Sequence, residues 1–159
     1  MNWILNILTV LLAFCAMEFT AWFMHKYVMH GFLWFLHRDH HDPETHFPER
    51  NDAFFLVFAI PSWLSIMFGL MNGIDVLFYI GVGIAVYGLA YFLVHDVFIH
   101  RRLNFFKQGN HPYLKAIRKA HKVHHKKLVK EDGACFGMLW VPRKYHQEAK
   151  KAASSHKTS

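Results

Sequence analysis

WILNILTVLLAFCAMEFTAWFM, residues 3–24, contains no basic residue and a single carboxylate, Glu18, and it runs straight into His25 and His30. At about 1.5 Å of rise per residue it matches the roughly 30 Å of a bilayer's hydrocarbon core, which predicts a transmembrane helix. A signal peptide would want a basic start and a small-residue cleavage site, and cleavage would sever the span beside His25. Two more apolar runs follow, 53–71 (AFFLVFAIPSWLSIMFGLM) and 74–94. The NGID turn at 72–75 is short enough to make them an antiparallel hairpin. Asp52 is a suitable helix cap before Ala53. Pro61 should kink the second span, because it cannot bond back to Val57. Gly81, Ala85 and Gly88 recur at i, i+4 and i+7, a pattern that lets a neighbouring helix approach closely.

Charge supports the same layout. Of 18 Lys and Arg, three lie between Lys26 and Arg50 and fifteen from Arg101 onward, so segments 1–24 and 53–100 have none. Three spans put the end of the first, the start of the second and the end of the third on one side of the membrane, with all the basic residues. By the positive-inside rule that side is cytoplasmic. A net charge of +7 would suggest nucleic acid as the partner of a soluble chain. Beside a membrane it fits anionic lipid headgroups, or an acidic electron-transfer partner, and no nucleic-acid recognition motif is visible. Cys15 and Cys135 lie at different depths, so neither a disulfide nor a CxxC site is indicated.

On the cytoplasmic side the histidines follow a repeated pattern. His25 and His30 form HxxxxH, and His37, His40 and His41 form HxxHH; His95 and His100 repeat the first motif, and His121, His124 and His125 the second. In HxxHH on a helix, the second and third histidines return within about 60° of the first, so two such modules could face a common cavity. Pro112 suits the first position of a helix that leads into His121. In HxxxxH the side chains of an uninterrupted α-helix diverge by about 140°. Either the helix loosens there, or the two rings reach opposite sides of a two-metal cluster. Ten imidazoles favour iron, cobalt, nickel, copper or zinc over magnesium or calcium, and the pattern alone does not exclude zinc. His46, His111, His146 and His156 read as ordinary polar residues.

Other residues are placed by their surroundings. Glu18 is a carboxylate within hydrocarbon, about 10 Å deeper than His25, which points to the bundle interior and to hydrogen bonding or gating rather than ligation. Asp39, Asp42 and Asp96 could accept imidazole N–H bonds, or could be solvated loop charges. Trp22, Phe23, Trp34 and Phe35 could line the mouth of an apolar groove or form an interfacial belt. The stretch 133–142 (GACFGMLWVP) is too short to span; it could dip into the interface or cover the metal pocket. The expected architecture is an all-α integral membrane protein with about three transmembrane helices, or four if that stretch re-enters, and a cytoplasmic histidine-rich helical cap. Residues 1–146 form one domain, and 147–159 are a basic, loosely ordered polar tail.

The four histidine clusters in this order resemble the membrane fatty acid hydroxylase and sterol desaturase superfamily. HKYVMHGFLWFLHRDHHDP, FPERND, HDVFIH, AHKVHHK and FGMLWVP are similar, more narrowly, to the bacterial beta-carotene hydroxylases, over residues 18–142. That resemblance implies a multi-pass protein, such as one of a bacterial inner membrane, with two iron ions held by the ten clustered histidines and O2 as cosubstrate. It further implies hydroxylation of beta-carotene at C3 and C3′ through beta-cryptoxanthin to zeaxanthin, with electrons from a ferredoxin-type donor and its reductase. A related enzyme acting on fatty acyl, sterol or ketocarotenoid substrates, and a histidine-rich metal transporter, are the alternative readings.

Overall fold

The computed structural model describes residues 2–42, 48–103, 111–126 and 135–155. All regular structure among them is helical. Helix α1, Trp3–Phe23, continues as a π-helical segment, Met24–Phe32. A short α2, Trp34–His37, and a 3₁₀ turn, Arg38–His41, follow. After a second 3₁₀ turn, Arg50–Phe54, come α3, Phe55–Met71, and α4, Val76–Tyr91, the latter extended by a second π segment, Phe92–Ile99. Helices α5, Pro112–His125, and α6, Arg143–Ser155, complete the cap.

The protein is a multi-pass membrane protein. Three continuous helical stretches, Trp3–Phe32, Arg50–Met71 and Val76–Ile99, are long and apolar enough to span. Their outer faces expose Trp3, Leu12, Phe19, Trp63 and Leu89, as suits a bundle whose solvent is lipid. The first and third stretches outrun the 3–24 and 74–94 spans expected from hydropathy, because the helix continues past the apolar run and carries the histidines beyond it.

Helix α4 packs between α1 and α3. Without a hydrophobic force between helices in lipid, close backbone approach and polar contacts must hold them together. A Cβ on Gly81 would come within 2.7 Å of the Ile66 backbone, and one on Gly83 within 2.6 Å of the Val10 carbonyl and the Ala13 methyl. The Ser62 hydroxyl adds a 2.9 Å bond to the Gly81 carbonyl. The expected small-residue stripe is therefore only partly correct. Gly81 serves it, Gly88 has no neighbour within 4 Å of such a Cβ, and Gly83 makes the α1 contact that the i, i+4, i+7 reading missed. Helix α3 continues through Pro61. The hairpin turns at Gly73, whose φ of 84° suits glycine, and the Asp75 carboxylate caps α4 by accepting the Leu77 N–H at 2.8 Å.

Above the bundle, Ala116, Ile117 and Ala120 of α5 meet Tyr145 and Ala149 of α6, with Met138 and Val141 completing the core. His111 caps α5, with Pro112 next to it, and His146 stacks on Tyr113, so both have structural roles. Helix α6 crosses the expected domain boundary at 146/147 without a break. Ala149 is buried and Glu148 pairs with Lys119 at 2.6 Å, so residues 147–155 are helix rather than loose tail. His46 and His156 lie outside the described residues, as does most of the connection between Pro43 and Pro48.

The strap at residues 135–142 is irregular rather than a fourth span, and Glu18 anchors it. One oxygen of Glu18 accepts the N–H groups of Leu139 and Trp140 at 2.8 and 2.9 Å, and the other accepts the Tyr87 hydroxyl at 2.8 Å. A carboxylate inside a bundle needs such partners. This is the hydrogen-bonding role expected of Glu18, and it draws the strap down against α1 and α4.

The contrast between Gly83 and Gly88 can be measured. Gly83→Ala should lower stability by about 1–3 kcal/mol through overpacking, whereas Gly88→Ala should leave it nearly unchanged. Thermal unfolding in detergent micelles checks the pair, and equal effects would refute the packing assignment.

Candidate metal centre

The two π segments bring each HxxxxH pair together. A π-helix bonds i to i+5, which stacks residues five apart over one another. The His100 N–H donates to the His95 carbonyl at 2.9 Å, and the Leu33 N–H to the Val28 carbonyl at 3.0 Å. The ring centroids of His25 and His30 are 5.2 Å apart, and those of His95 and His100 4.5 Å. Of the two readings left open by this spacing, the loosened helix is the one adopted.

The histidines gather into two groups able to hold a metal ion. His25, His30, His37, His41 and His124 form one, and His40, His95, His100 and His121 the other, with the donor atoms of each group within 4.8 Å of one another. His125 adjoins the second, its Nε2 2.7 Å from that of His121. Both HxxHH modules contribute to each group. In both motifs the first and last histidines serve the group of their own half, and the middle one, His40 or His124, crosses to the other. In α5 the positions i+3 and i+4 are themselves about 100° apart, so His124 and His125 flank His121 on opposite sides; in the first motif the 3₁₀ turn separates His40 from His41 by about 120°.

The nitrogens converge in a consistent way. In the first group Nε2 of His37 lies 3.1 Å from that of His25 and 3.2 Å from that of His41, and Nε2 of His30 lies 3.1 Å from that of His124. In the second, Nε2 of His95 is 3.2 Å from that of His40, and Nε2 of His100 is 2.9 Å from that of His121. Nitrogens bound to one ion at about 2.1 Å stand about 3 Å apart at right angles, so this donor set fits a metal.

The far side of several rings fixes which nitrogen carries the proton. Nδ1–H of His25 donates to the Phe136 carbonyl at 3.0 Å, that of His37 to Asn51 Oδ1 at 2.6 Å, and that of His40 to Glu49 Oε2 at 2.7 Å. Each bond leaves an Nε2 lone pair aimed inward. The sequence reading missed Glu49, Asn51 and Phe136. Glu49 and Asn51 flank the second span in FPERND, and Phe136 acts through its backbone, which leaves no mark in a sequence. Asp52 is not the cap it was expected to be: Glu49 takes that position and donates its N–H to Asp52 at 3.0 Å. Asp39 accepts the Arg50 N–H at 2.7 Å instead of an imidazole proton, and Asp96 lies 3.5 Å from His95 Nδ1.

Burial also keeps the cap histidines neutral. Loss of water, then repulsion from neighbouring imidazoles, lowers His100 and His124 to about 2. His37 falls to about 2 and His125 to about 3 for the same leading reason, with His41 held at about 4. His40 and His121 are lowered in the same direction by burial and by the rings around them. Neutral imidazole is the form that binds metal.

A cavity of about 650 Å³ leads to this centre. Phe55, Phe58, Trp63, Ile84 and Phe92 line its apolar length, and His25 of the first group and His95 and His121 of the second lie on its wall. Trp22, Phe23, Trp34 and Phe35 do not line it, so of the two readings open for them the groove mouth is corrected. Trp22 meets Tyr27 edge to face under Lys26, in the manner of an interfacial belt, and Trp34 packs on His30, His37 and His41. The Phe136 ring covers His25, His30 and His124, so the strap roofs the pocket.

Residues 10–142 match the fatty acid hydroxylase family. The chain belongs to that family. Among its relatives, a beta-carotene hydroxylase of Pantoea ananas is 42% identical over 142 residues, covering 89% of this chain and 81% of its own. One from Paracoccus sp. (strain N81106 / MBIC 01143) is 35% identical over 86% of this chain and 85% of its own. The chloroplastic beta-carotene 3-hydroxylase 2 of Arabidopsis thaliana is 34% identical over 82% of this chain, which corresponds to 44% of that longer protein. No solved structure matches it. The fatty acid hydroxylase match spans all four histidine clusters, and the cytoplasmic cap of this family member is the histidine-bearing side of the membrane.

The lowered histidines set a pH dependence. Between the ordinary histidine value near 6.5 and the folded values of about 2 to 4, the unfolded chain binds more protons than the folded one. Stability therefore rises with pH through that window and is lost on acidification. Thermal midpoints of the metal-free protein in detergent should fall steadily from pH 7 to pH 5; a flat profile would contradict neutral burial.

Proposed function

We propose that this protein is an O2-dependent monooxygenase that hydroxylates C3 and then C3′ of beta-ionone rings, converting beta-carotene through beta-cryptoxanthin to zeaxanthin. The observation that carries the reading is the apolar cavity between the spans, which ends against histidines of both groups. A lipophilic molecule can enter from the bilayer and present one end to the centre. The names of the relatives supply the carotene. The overall change is R–H + O2 + 2 e⁻ + 2 H⁺ → R–OH + H2O.

In this reading His25, His30, His37, His41 and His124 hold one iron, and His40, His95, His100, His121 and His125 the other. Two irons, when bound, supply the activation of O2 that breaks an unactivated C–H bond. The chain's residues do the rest. The Nδ1 bonds to Phe136, Asn51 and Glu49 keep each Nε2 free and aimed, and the Phe136 ring and the strap keep bulk water from the rings. Phe55, Phe58 and Trp63 grip the ring end and stem of the substrate, because burial of apolar surface is the only binding energy a hydrocarbon offers. The two electrons come from outside: a ferredoxin-type donor with its reductase is proposed, meeting the basic cytoplasmic face that carries Lys115, Lys119, Lys122 and Lys144.

Pigment analysis of a carotene-accumulating bacterial host tests this. The intact chain should yield mono- and dihydroxylated carotene. His40→Ala and His124→Ala, each removing the histidine that crosses between groups, should abolish conversion, whereas His156→Ala should not. Gly88→Leu fills the cavity without touching a histidine and should cut turnover by about a hundredfold through misplacement of the substrate. Robust hydroxylation by His40→Ala at matched protein levels would overturn the site assignment. Unchanged carotene with a metal-loaded wild type would redirect the reading to a fatty acyl or sterol substrate.

A further inference from the structure

Glu18 and His25 stand seven residues apart on the first span, two turns along one face, and the strap meets both. At the cytoplasmic end the Phe136 carbonyl accepts the His25 Nδ1–H at 3.0 Å. Deeper in the bundle, Leu139 and Trp140 donate their N–H groups to one oxygen of Glu18 at 2.8 and 2.9 Å. Three residues of strap reach at most about 10 Å, and the helix from Glu18 to His25 rises about 10 Å. The strap is thus pinned to the first span at both ends of one short stretch.

The deeper pin is built from several sides. The other Glu18 oxygen accepts the Tyr87 hydroxyl at 2.8 Å, which fixes the carboxylate against α4. Residue 137 is glycine, and a Cβ there would stand 2.7 Å from the Glu18 oxygen that holds the strap. The Leu139 carbonyl accepts the Tyr113 hydroxyl at 2.7 Å, so one strap residue ties Glu18 to α5. Cys135, next to Phe136, takes a φ of 67°, a backbone state that costs a residue with a Cβ and persists where the surrounding structure imposes it.

The upper pin belongs to the metal centre. His25 is a member of the first histidine group, and its Nδ1–H bond to Phe136 leaves Nε2 as the donor to an ion. A backbone carbonyl sits where its segment is tied. Without Glu18 the N–H groups of Leu139 and Trp140 would lose their acceptor inside the bundle, and the strap would move to satisfy them elsewhere. The Phe136 carbonyl would move with it.

We propose that Glu18 is a positioning residue for the first metal position: acting through the strap, it sets the Phe136 carbonyl that holds the His25 proton on Nδ1. The inference rests on the reading of these histidines as a metal centre. It gives a carboxylate about 10 Å deeper in the membrane a measurable part in metal retention.

The test uses the full chain in detergent. In the metal-free protein, hydrogen–deuterium exchange at the Leu139 and Trp140 amides reads the deeper pin directly. Glu18→Ala should speed it about tenfold or more, whereas Glu18→Gln, whose amide oxygen still accepts both N–H groups, should stay near wild type. In the iron-loaded protein, Glu18→Ala should speed the loss of half of the iron to a chelator roughly 10- to 100-fold and leave the other half unchanged. Adding Glu49→Gln, beside His40 of the second group, should hasten the remaining half; adding Asn51→Ala, beside His37 of the first, should not. Gly137→Ala crowds the same oxygen from the strap side and should repeat the Glu18→Ala pattern, so it decides the matter if gel filtration and circular dichroism show Glu18→Ala to be misfolded. Unchanged exchange in a folded Glu18→Ala, faster exchange with unchanged iron release, or equal loosening of both halves would overturn the inference. A wild type that takes up no iron would instead overturn the metal-centre reading beneath it.

Discussion

Two stretches of backbone that bond i to i+5 decide the rest of this structure. At His95 and His100 the bond joins the two histidines directly, and the geometry of both HxxxxH pairs follows from that period. An α-helix through either stretch would turn one ring of the pair away from the centre. π-helical backbone is rare and has poorer packing along its axis, so it persists where something else holds it. Here the histidines of each pair pack ring against ring, between the membrane surface and the roof.

Hydropathy was enough to find the spans, because a bilayer demands long uninterrupted apolar runs and few other settings do. The histidine motifs were equally plain, and so was the sidedness, since Lys and Arg avoid 1–24 and 53–100 altogether. What stayed out of reach depended on contacts between distant segments. Glu49 and Asn51 are unremarkable polar residues until the chain returns them to His40 and His37, and Phe136 acts through a carbonyl that every residue has. The aromatics Trp22, Phe23, Trp34 and Phe35 stayed divided between a groove mouth and an interfacial belt for a related reason. Aromatic content marks an interface, but only the packing tells which ring faces lipid, which faces a histidine and which faces the substrate cavity. The polar tail was misjudged because Tyr145 and Ala149 are too sparse a stripe to announce a helix against α5.

The crossing of His40 and His124 gives the cap a two-fold logic. Each half of the chain supplies four of its own histidines to one group and one to the other, so neither group is complete within its half. The consequence is mutual support: displacing α5 would strip a donor from the first group as well as disturb the second. Glu18 extends this interdependence into the membrane. A carboxylate in that position needs three donors, and two of them belong to the strap that roofs the centre.

That roof has a consequence for the order of assembly in the cell. The ribosome releases α1, with Glu18 and the first two histidines, long before it releases His124, Phe136, Leu139 and Trp140. Until those residues emerge, the first group lacks its fifth donor, its lid is absent and Glu18 waits in the hydrocarbon with two of its three donors missing. Insertion of the spans thus precedes enclosure of the centre, and the full donor set exists only in an essentially finished chain.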